Sequence, residues 1–161
     1  MRLTVTPITR DFAREILSWR YAPPYDSYDL VSTPETLEDD IGYFLAPENR
    51  FHQILHEDVP IAGFSMGADG QVPGGGYGAD ALDLGLGVRP DYTGRGLGGE
   101  IVRTVIDYAI ESDAPRALRV TIAAFNTRAQ RVWMREGFTE VSRFNADGSD
   151  TPFIIFIRTL G

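Results

Sequence analysis

The chain has 161 residues, 43% of them hydrophobic and 24% charged, with a formal net charge of −8 and no cysteine. That length supports one domain around a single substantial core, and the composition is that of an ordinary globular protein. Without cysteine there are no disulfides, thiolate metal sites or cysteine nucleophile, and the 15 scattered basic residues leave no electrostatic footprint for nucleic acid.

No secretory signal pattern opens the sequence, and no apolar run approaches the roughly 18 residues of a membrane span. The expected location is the cytoplasm, with no membrane partner. In chain order, residues 2–6 alternate as a short strand. Thr9 then caps a helix expected to run to about Tyr21, with Phe12, Ile16, Leu17 and Trp19 on its apolar side. Residues 22–29 form a proline-stiffened loop. Thr33 and Pro34 open a second helix, with Pro34 at its first position and Leu37, Ile41, Phe44 and Leu45 facing inward. Residues 50–56 and 59–66 read as a hairpin around Glu57 and Asp58. The glycine-rich stretch 67–80 is expected to be a mobile loop. Strands follow at 81–88 and 118–124, each leading into a helix, and a nearly all-apolar strand at 153–157 is expected to be buried on both faces. No repeat or linker divides residues 1–161, so one α/β (α+β) domain with a mixed sheet is predicted.

The segment 88–99 carries the chemistry. It joins the strand ending at Val88 to a helix predicted over 100–112, and it holds Gly94, Gly96, Gly98 and Gly99. Glycine lets backbone N–H groups close on a ligand with no Cβ in the way. At a helix N-terminus those unpaired donors and the positive dipole end favour an anion such as a pyrophosphate. The spacing also fits a dinucleotide fingerprint, but that reading needs an acid about 20 residues further on, at the end of the next strand. Residues 118–122 hold none. A Walker A loop fails for want of a Gly-Lys-Ser/Thr.

Downstream, Asn126 is suited to cap a helix in which Ala129, Val132 and Trp133 share a face, and Gly137 stops it. At this point the chain resembles the GNAT superfamily of acetyl-CoA-dependent N-acetyltransferases. Val88-x-Pro90-x-Tyr92-x-Gly94-x-Gly96-x-Gly98 looks like the first half of that family's cofactor core. Asn126-x-x-Ala129-x-x-Val132-Trp133-x-x-x-Gly137-Phe138 looks like the second. The match covers roughly residues 81–138. It implies a mixed, mostly antiparallel central sheet flanked by helices. The strand before the glycine turn and the one after the next helix should splay apart, with the pantetheine arm of acetyl-CoA in the gap. The acceptor would be an amine of a small molecule or peptide, and the resemblance allows a homodimer.

On that resemblance Thr93, Gly94, Arg95, Gly96, Gly98 and Gly99 hold the pyrophosphate, and Leu86 and Val88 offer backbone groups to the pantetheine. The family usually has Arg or Gln where Thr93 stands, so one charged contact is expected to be missing. Asn126 binds the pantetheine arm, caps its helix, or does both. Arg128, Arg131 and Arg135 either meet the 3′-phosphate or are solvated. Trp133 stands where the family has the tyrosine that protonates the departing thiolate. An indole N–H is no usable acid, so Trp133 is read as packing on cofactor or core. Asp83 is the candidate general base, its alternative being a solvent-facing strand residue. Four strand residues separate His52 from His56 by about 13 Å, which excludes a shared metal. Tyr21, Tyr25, Asp26, Tyr28 and Asp29 crowd one loop, either walling a cationic acceptor or packing on the core. The expected activity is direct N-acetyl transfer, with a non-catalytic acetyl-CoA-binding module as the alternative.

Overall fold

The computed structural model describes residues 2–161. Seven strands, β1 (Leu3–Pro7), β2 (Phe51–His56), β3 (Val59–Met66), β4 (Leu82–Val88), β5 (Ala117–Ala123), β6 (Thr139–Asn145) and β7 (Pro152–Thr159), form one sheet. Their order is β1-β2-β3-β4-β5-β7-β6. Every neighbouring pair is antiparallel except β4 and β5. Four helices flank the sheet: α1 (Arg10–Ile16), α2 (Leu37–Leu45), α3 (Gly98–Asp113) and α4 (Thr127–Arg135). This is the mixed, mostly antiparallel single domain predicted from the sequence.

The two faces of the sheet carry separate apolar clusters. α3 and α4 cover one face through Ile101, Val102, Val105, Ile106 and Trp133, which pack with Phe64, Leu118, Val120 and Phe156. On the other face α1 and α2 meet through Phe12, Ala13, Ile16, Ile41 and Phe44. The hairpin between β2 and β3 turns on Glu57 (φ 50°) and Asp58 (φ 65°), the paired positive φ that a two-residue hairpin requires.

Several boundaries differ from the predicted ones, each for a local reason. Helix α1 stops at Ile16 rather than near Tyr21. The N–H groups of Ser18 and Trp19 donate to carbonyls three residues back, and Ser18 Oγ competes for the Glu15 carbonyl at 2.6 Å. Residues 34–36 form a tight turn and α2 begins only at Leu37, since the Thr33 and Thr36 hydroxyls bond each other and the local backbone. β6 was not predicted. Its residues are exposed apart from the half-buried Phe144, so they show no apolar face, and the strand exists by pairing with β7.

The stretch 67–80 is a correction. It is tied down instead of free: the Tyr77 hydroxyl accepts from the Val72 N–H at 2.9 Å and shares a hydrogen bond with Thr121 Oγ1 at 2.8 Å. Asp147 N–H donates to the Pro73 carbonyl at 2.9 Å, fastening the stretch to the β6–β7 connection. Glycine content alone suggested mobility, and one tyrosine overrides it.

Candidate active site

The parallel ladder between β4 and β5 is short. It pairs Leu82 with Leu118, Asp83 with Arg119 and Leu84 with Val120, and then ends. Beyond that point β4 stays with β3 as far as the Ala62–Val88 pair, and β5 stays with β7 as far as Ala123–Phe153. The two halves of the sheet therefore part, leaving a gap between 85–88 and 121–123. The Asp83 backbone carbonyl accepts from the Gly67 N–H on the β3 side. By the alternation of an antiparallel ladder, the peptide groups of Leu86 and Val88 face the gap. The Leu86 and Val88 side chains pack on the core. The Val88 carbonyl accepts from the Tyr21 hydroxyl at 2.6 Å.

At the open end of the gap lies the glycine turn. Pro90–Tyr92 makes a single 3-10 turn, Gly94 and Gly96 take φ of 71° and 76°, and α3 starts at Gly98. Leu97 precedes the helix without a side-chain cap. Among the described residues, nothing accepts a hydrogen bond from the N–H groups of Gly94, Gly96, Gly98 and Gly99. No atom lies within 4 Å of where a Cβ on Gly96 would stand. Gly98 serves packing as well, since a Cβ there would come within 3.3 Å of Val132 on α4. Unpaired donors, open space and a helix N-terminus together fit a phosphate. Thr93 spends its hydroxyl locally, donating to the Pro90 carbonyl at 2.7 Å. The Arg95 guanidinium lies 5.0 Å from the Tyr92 ring centre and donates to the Asp91 carbonyl at 3.3 Å.

Across the same open end, Asn126 caps α4. Its Oδ1 accepts from the Ala129 N–H at 3.1 Å, and its Nδ2 donates to the Tyr28 hydroxyl at 3.1 Å. Gln130, which carried no motif signal, donates to the Ala123 and Ala124 carbonyls at 3.2 and 3.0 Å and fixes α4 to the end of β5. Trp133 is 5% exposed and meets Phe138 edge-on, ring centres 5.1 Å apart. It belongs to the core, not to the gap's surface. Arg128 lies over the Tyr25 ring at 4.3 Å, and one of its Nη atoms stands 3.6 Å from the Cβ position of Gly94. Arg131 and Arg135 are exposed, with no ion-pair partner among the described residues.

Asp83 corrects the solvent-facing reading. It is 4% exposed, so it is not a solvent-facing residue. Its two oxygens accept from Arg119 Nε at 2.7 Å and Nη2 at 2.8 Å, and one also accepts from Gln71 Nε2 at 2.9 Å. The hydrogen bond to Asp83 raises the Arg119 pKa above its ordinary value. Three donors take about three of this carboxylate's four acceptor positions and a buried cation balances its charge, which argues against the role of base.

The tyrosine loop bridges the gap. Tyr25 and Tyr28 pack on Phe125 with ring centres 6.0 and 5.6 Å apart, and Asp29 Oδ1 accepts from the Tyr21 N–H at 2.9 Å. Asp26 is exposed. Burial, followed by the nearby Asp29, pushes the Tyr21 phenol up to about 12, and burial raises that of Tyr28. His52 sits between Phe64 and Tyr108, ring centres 5.2 and 4.9 Å away, and burial lowers its pKa. No cluster of metal-binding side chains occurs among the described residues.

A family model described as "Acetyltransferase (GNAT) family" matches residues 12–138. Solved structures share the fold at low identity. AAC(6')-Ib in complex with ribostamycin and coenzyme A superimposes with a TM-score of 0.75 at 15% identity, covering 99% of this chain and 94% of that one. A chimera of spermidine N-acetyltransferase SpeG from Vibrio cholerae and hSSAT gives 0.71 at 14%, covering 99% and 96%. The Campylobacter jejuni N-acetyltransferase PseH gives 0.68 at 13%, covering 99% of each chain. No curated protein matches the sequence.

Proposed function

The chain belongs to the acetyltransferase (GNAT) family, whose acyl donor is acetyl-CoA; we propose that it transfers the acetyl group to a primary amine of a small molecule or peptide by direct attack in a ternary complex. The observation that carries this reading is the early end of the β4–β5 ladder at Leu84–Val120 beside a turn of unpaired glycine N–H groups. In it the N–H groups of Gly94, Gly96, Gly98 and Gly99 hold the pyrophosphate, with Thr93 and Arg95 alongside. Leu86 and Val88 offer their peptide groups to the pantetheine arm, and Asn126 lies at the far side of the same gap.

The nitrogen of a neutral amine bonds to the acetyl carbon, the C–S bond breaks, and the nitrogen's surplus proton ends on the thiolate or in solvent. Backbone N–H groups at the free edge of β4 would hold the developing oxyanion, a contribution worth ~3–4 kcal/mol for one good donor. With no cysteine in the chain, no thioester intermediate forms on the enzyme. Buried Trp133 is not an acid, but an alkyl thiol has a pKa of about 8.5, so the thiolate can leave without a proton donor. Tyr25, Asp26, Tyr28 and Asp29 wall the acceptor side, and the acidic surface suits a cationic amine. The fold names no single acceptor, since one similar structure is a complex with ribostamycin and another is a spermidine N-acetyltransferase chimera.

A second reading, acetyl-CoA binding without transfer, takes its support from Trp133 and Thr93, where the chain departs from its family. Calorimetry with acetyl-CoA and release of free thiol against a panel of primary amines test both. Binding with thiol release supports transfer, binding with none supports the second reading, and no binding refutes both.

A further inference from the structure

Asp83 is spent on Arg119, which leaves open what receives the charged amine. On the same sheet face, the strip of β4 beyond Asp83 has almost no side chains. Gly85 and Gly87 both point there, paired with Ser65 and Gly63 of β3. Trp19 stands 3.8 Å from the Cβ position of Gly87 at one end of the strip. At the other end stands Asp69, its Oδ2 lying 3.6 Å from the Cβ position of Gly85. A side chain at Gly85 would collide with Ser65 Oγ at 2.7 Å.

Asp69 is held in place by neutral groups alone. Ser65 Oγ, wholly buried, donates to Oδ2 at 3.1 Å, and the Tyr43 hydroxyl of α2 donates to Oδ1. No cation pairs with it among the described residues. Two hydroxyl donors use about half of a carboxylate's acceptor positions and cancel none of its charge. Asp69 is also exposed, so a ligand can reach it. It lies next to Gly85, the first residue of β4 beyond the ladder, one residue before the Leu86 peptide that faces the gap.

We propose that Asp69 docks the acceptor's ammonium group, and that the narrow strip leading to it, open over Gly87 beside Trp19 and closed at Gly85 by Ser65 and the Gly70 backbone, selects a primary amine carried on a slender, unbranched arm. This inference rests on the acetyl-transfer reading and names the substrate class for it. An ammonium offers three donors, two more than Asp69 needs for one charge-assisted bond; once it has given up one proton to solvent, the neutral nitrogen left there is adjacent to the edge that faces the acyl group. Tyr43 acts through Asp69 as a positioning residue. Asp69 raises the Tyr43 phenol's pKa further after burial has already done so, to about 12, so the hydroxyl stays protonated and able to donate.

The test uses spermidine and cadaverine as slender primary amines, with acetyl-CoA affinity measured separately by calorimetry. Asp69→Asn should raise the amine KM about thirtyfold, or ~2 kcal/mol, with kcat changed far less. Asp69→Glu should recover part of that loss, Tyr43→Phe should cost a smaller rise in KM, and the acetyl-CoA Kd should stay constant throughout. An unchanged KM in Asp69→Asn overturns the docking role. A wild type that binds acetyl-CoA but acetylates neither amine overturns the substrate class and leaves the transfer reading standing. A wild type that does not bind acetyl-CoA removes the reading beneath it.

Discussion

On the cofactor side of the gap, the groups proposed to hold phosphate are backbone N–H donors within Gly94–Gly99, and α3 starts inside the same stretch. On the proposed acceptor side, Tyr43, Ser65, Asp69 and Gly85 come together from α2, from β3, from the turn after it and from β4. Backbone donors can close on an anion only where glycine clears the way and permits positive φ, as at Gly94 and Gly96, so their requirement is written in consecutive residues. A carboxylate that receives an amine needs only to arrive at the right place, and any element can bring it. On the proposed reading, anion recognition is local in sequence and amine recognition is not.

The largest expected effect tests whether the acceptor side is divided as described between Asp83 and Asp69. Removing one member of a buried ion pair leaves the other uncompensated, at a cost of about 3–5 kcal/mol. Asp83→Ala should therefore lower the urea unfolding midpoint steeply, because Arg119 is 2% exposed and has no other carboxylate. The protein that remains folded should keep its amine KM. Near-normal stability with collapsed turnover would restore Asp83 as the base and break the contrast between the two carboxylates.

Next in size, Gly96→Val addresses the cofactor side. Open space surrounds the Cβ position, so the substitution creates no internal clash, but a β-branched residue at φ 76° is strained and projects into the proposed phosphate site. Acetyl-CoA affinity should fall about a hundredfold or more, which is ~2.7 kcal/mol, while thermal stability drops far less. Unchanged affinity would falsify the phosphate cradle.

What could be read from the sequence follows the same division. The strand, glycine turn and helix of 82–113, the Asn126 cap and the Glu57-Asp58 hairpin were legible because each is fixed by residues a few positions apart. β6 was not, since its exposed residues have no alternation to detect and only β7 makes them a strand. The burial of Asp83 was not legible because its partner Arg119 lies 36 positions away on a strand that looked wholly structural. Asp69 gave no signal in a glycine-rich stretch, and what singles it out is the meeting of Tyr43, Ser65 and Gly85 around it.

A smaller effect concerns Tyr21, which joins the acceptor loop to the β4 edge through the Val88 carbonyl. Its phenol is pushed up to about 12 by burial and then by Asp29. The folded state thus holds this proton more tightly than the unfolded chain, whose phenol titrates near 10. The resulting stability is fully present below about pH 10 and is lost as pH rises from there toward 12. Tyr21→Phe should remove part of the alkaline drop in Tm and leave the neutral-pH Tm lower by roughly one hydrogen bond, about 1 kcal/mol. A wild-type and variant Tm that fall in parallel above pH 10 would mean that the phenol is not held as described.

The smallest effect on chemistry is expected at Trp133, where the chain parts from its family. The side chain is 5% exposed and packs edge-on against Phe138, so its contribution is to the core shared by α3, α4 and β5. Trp133→Phe removes buried volume and should cost on the order of 1–3 kcal/mol of stability, a cavity effect that a partial collapse of α4 would soften. Turnover per folded molecule should change less than threefold, because a thiolate of pKa about 8.5 leaves without help near neutral pH. Loss of a true general acid would instead cost about 10²–10⁴ in rate. Single-turnover thiol release, corrected for the folded fraction, separates the two. A hundredfold fall in Trp133→Phe would make the indole part of the chemistry, and the cofactor side would then depend on a side chain as well as on its backbone.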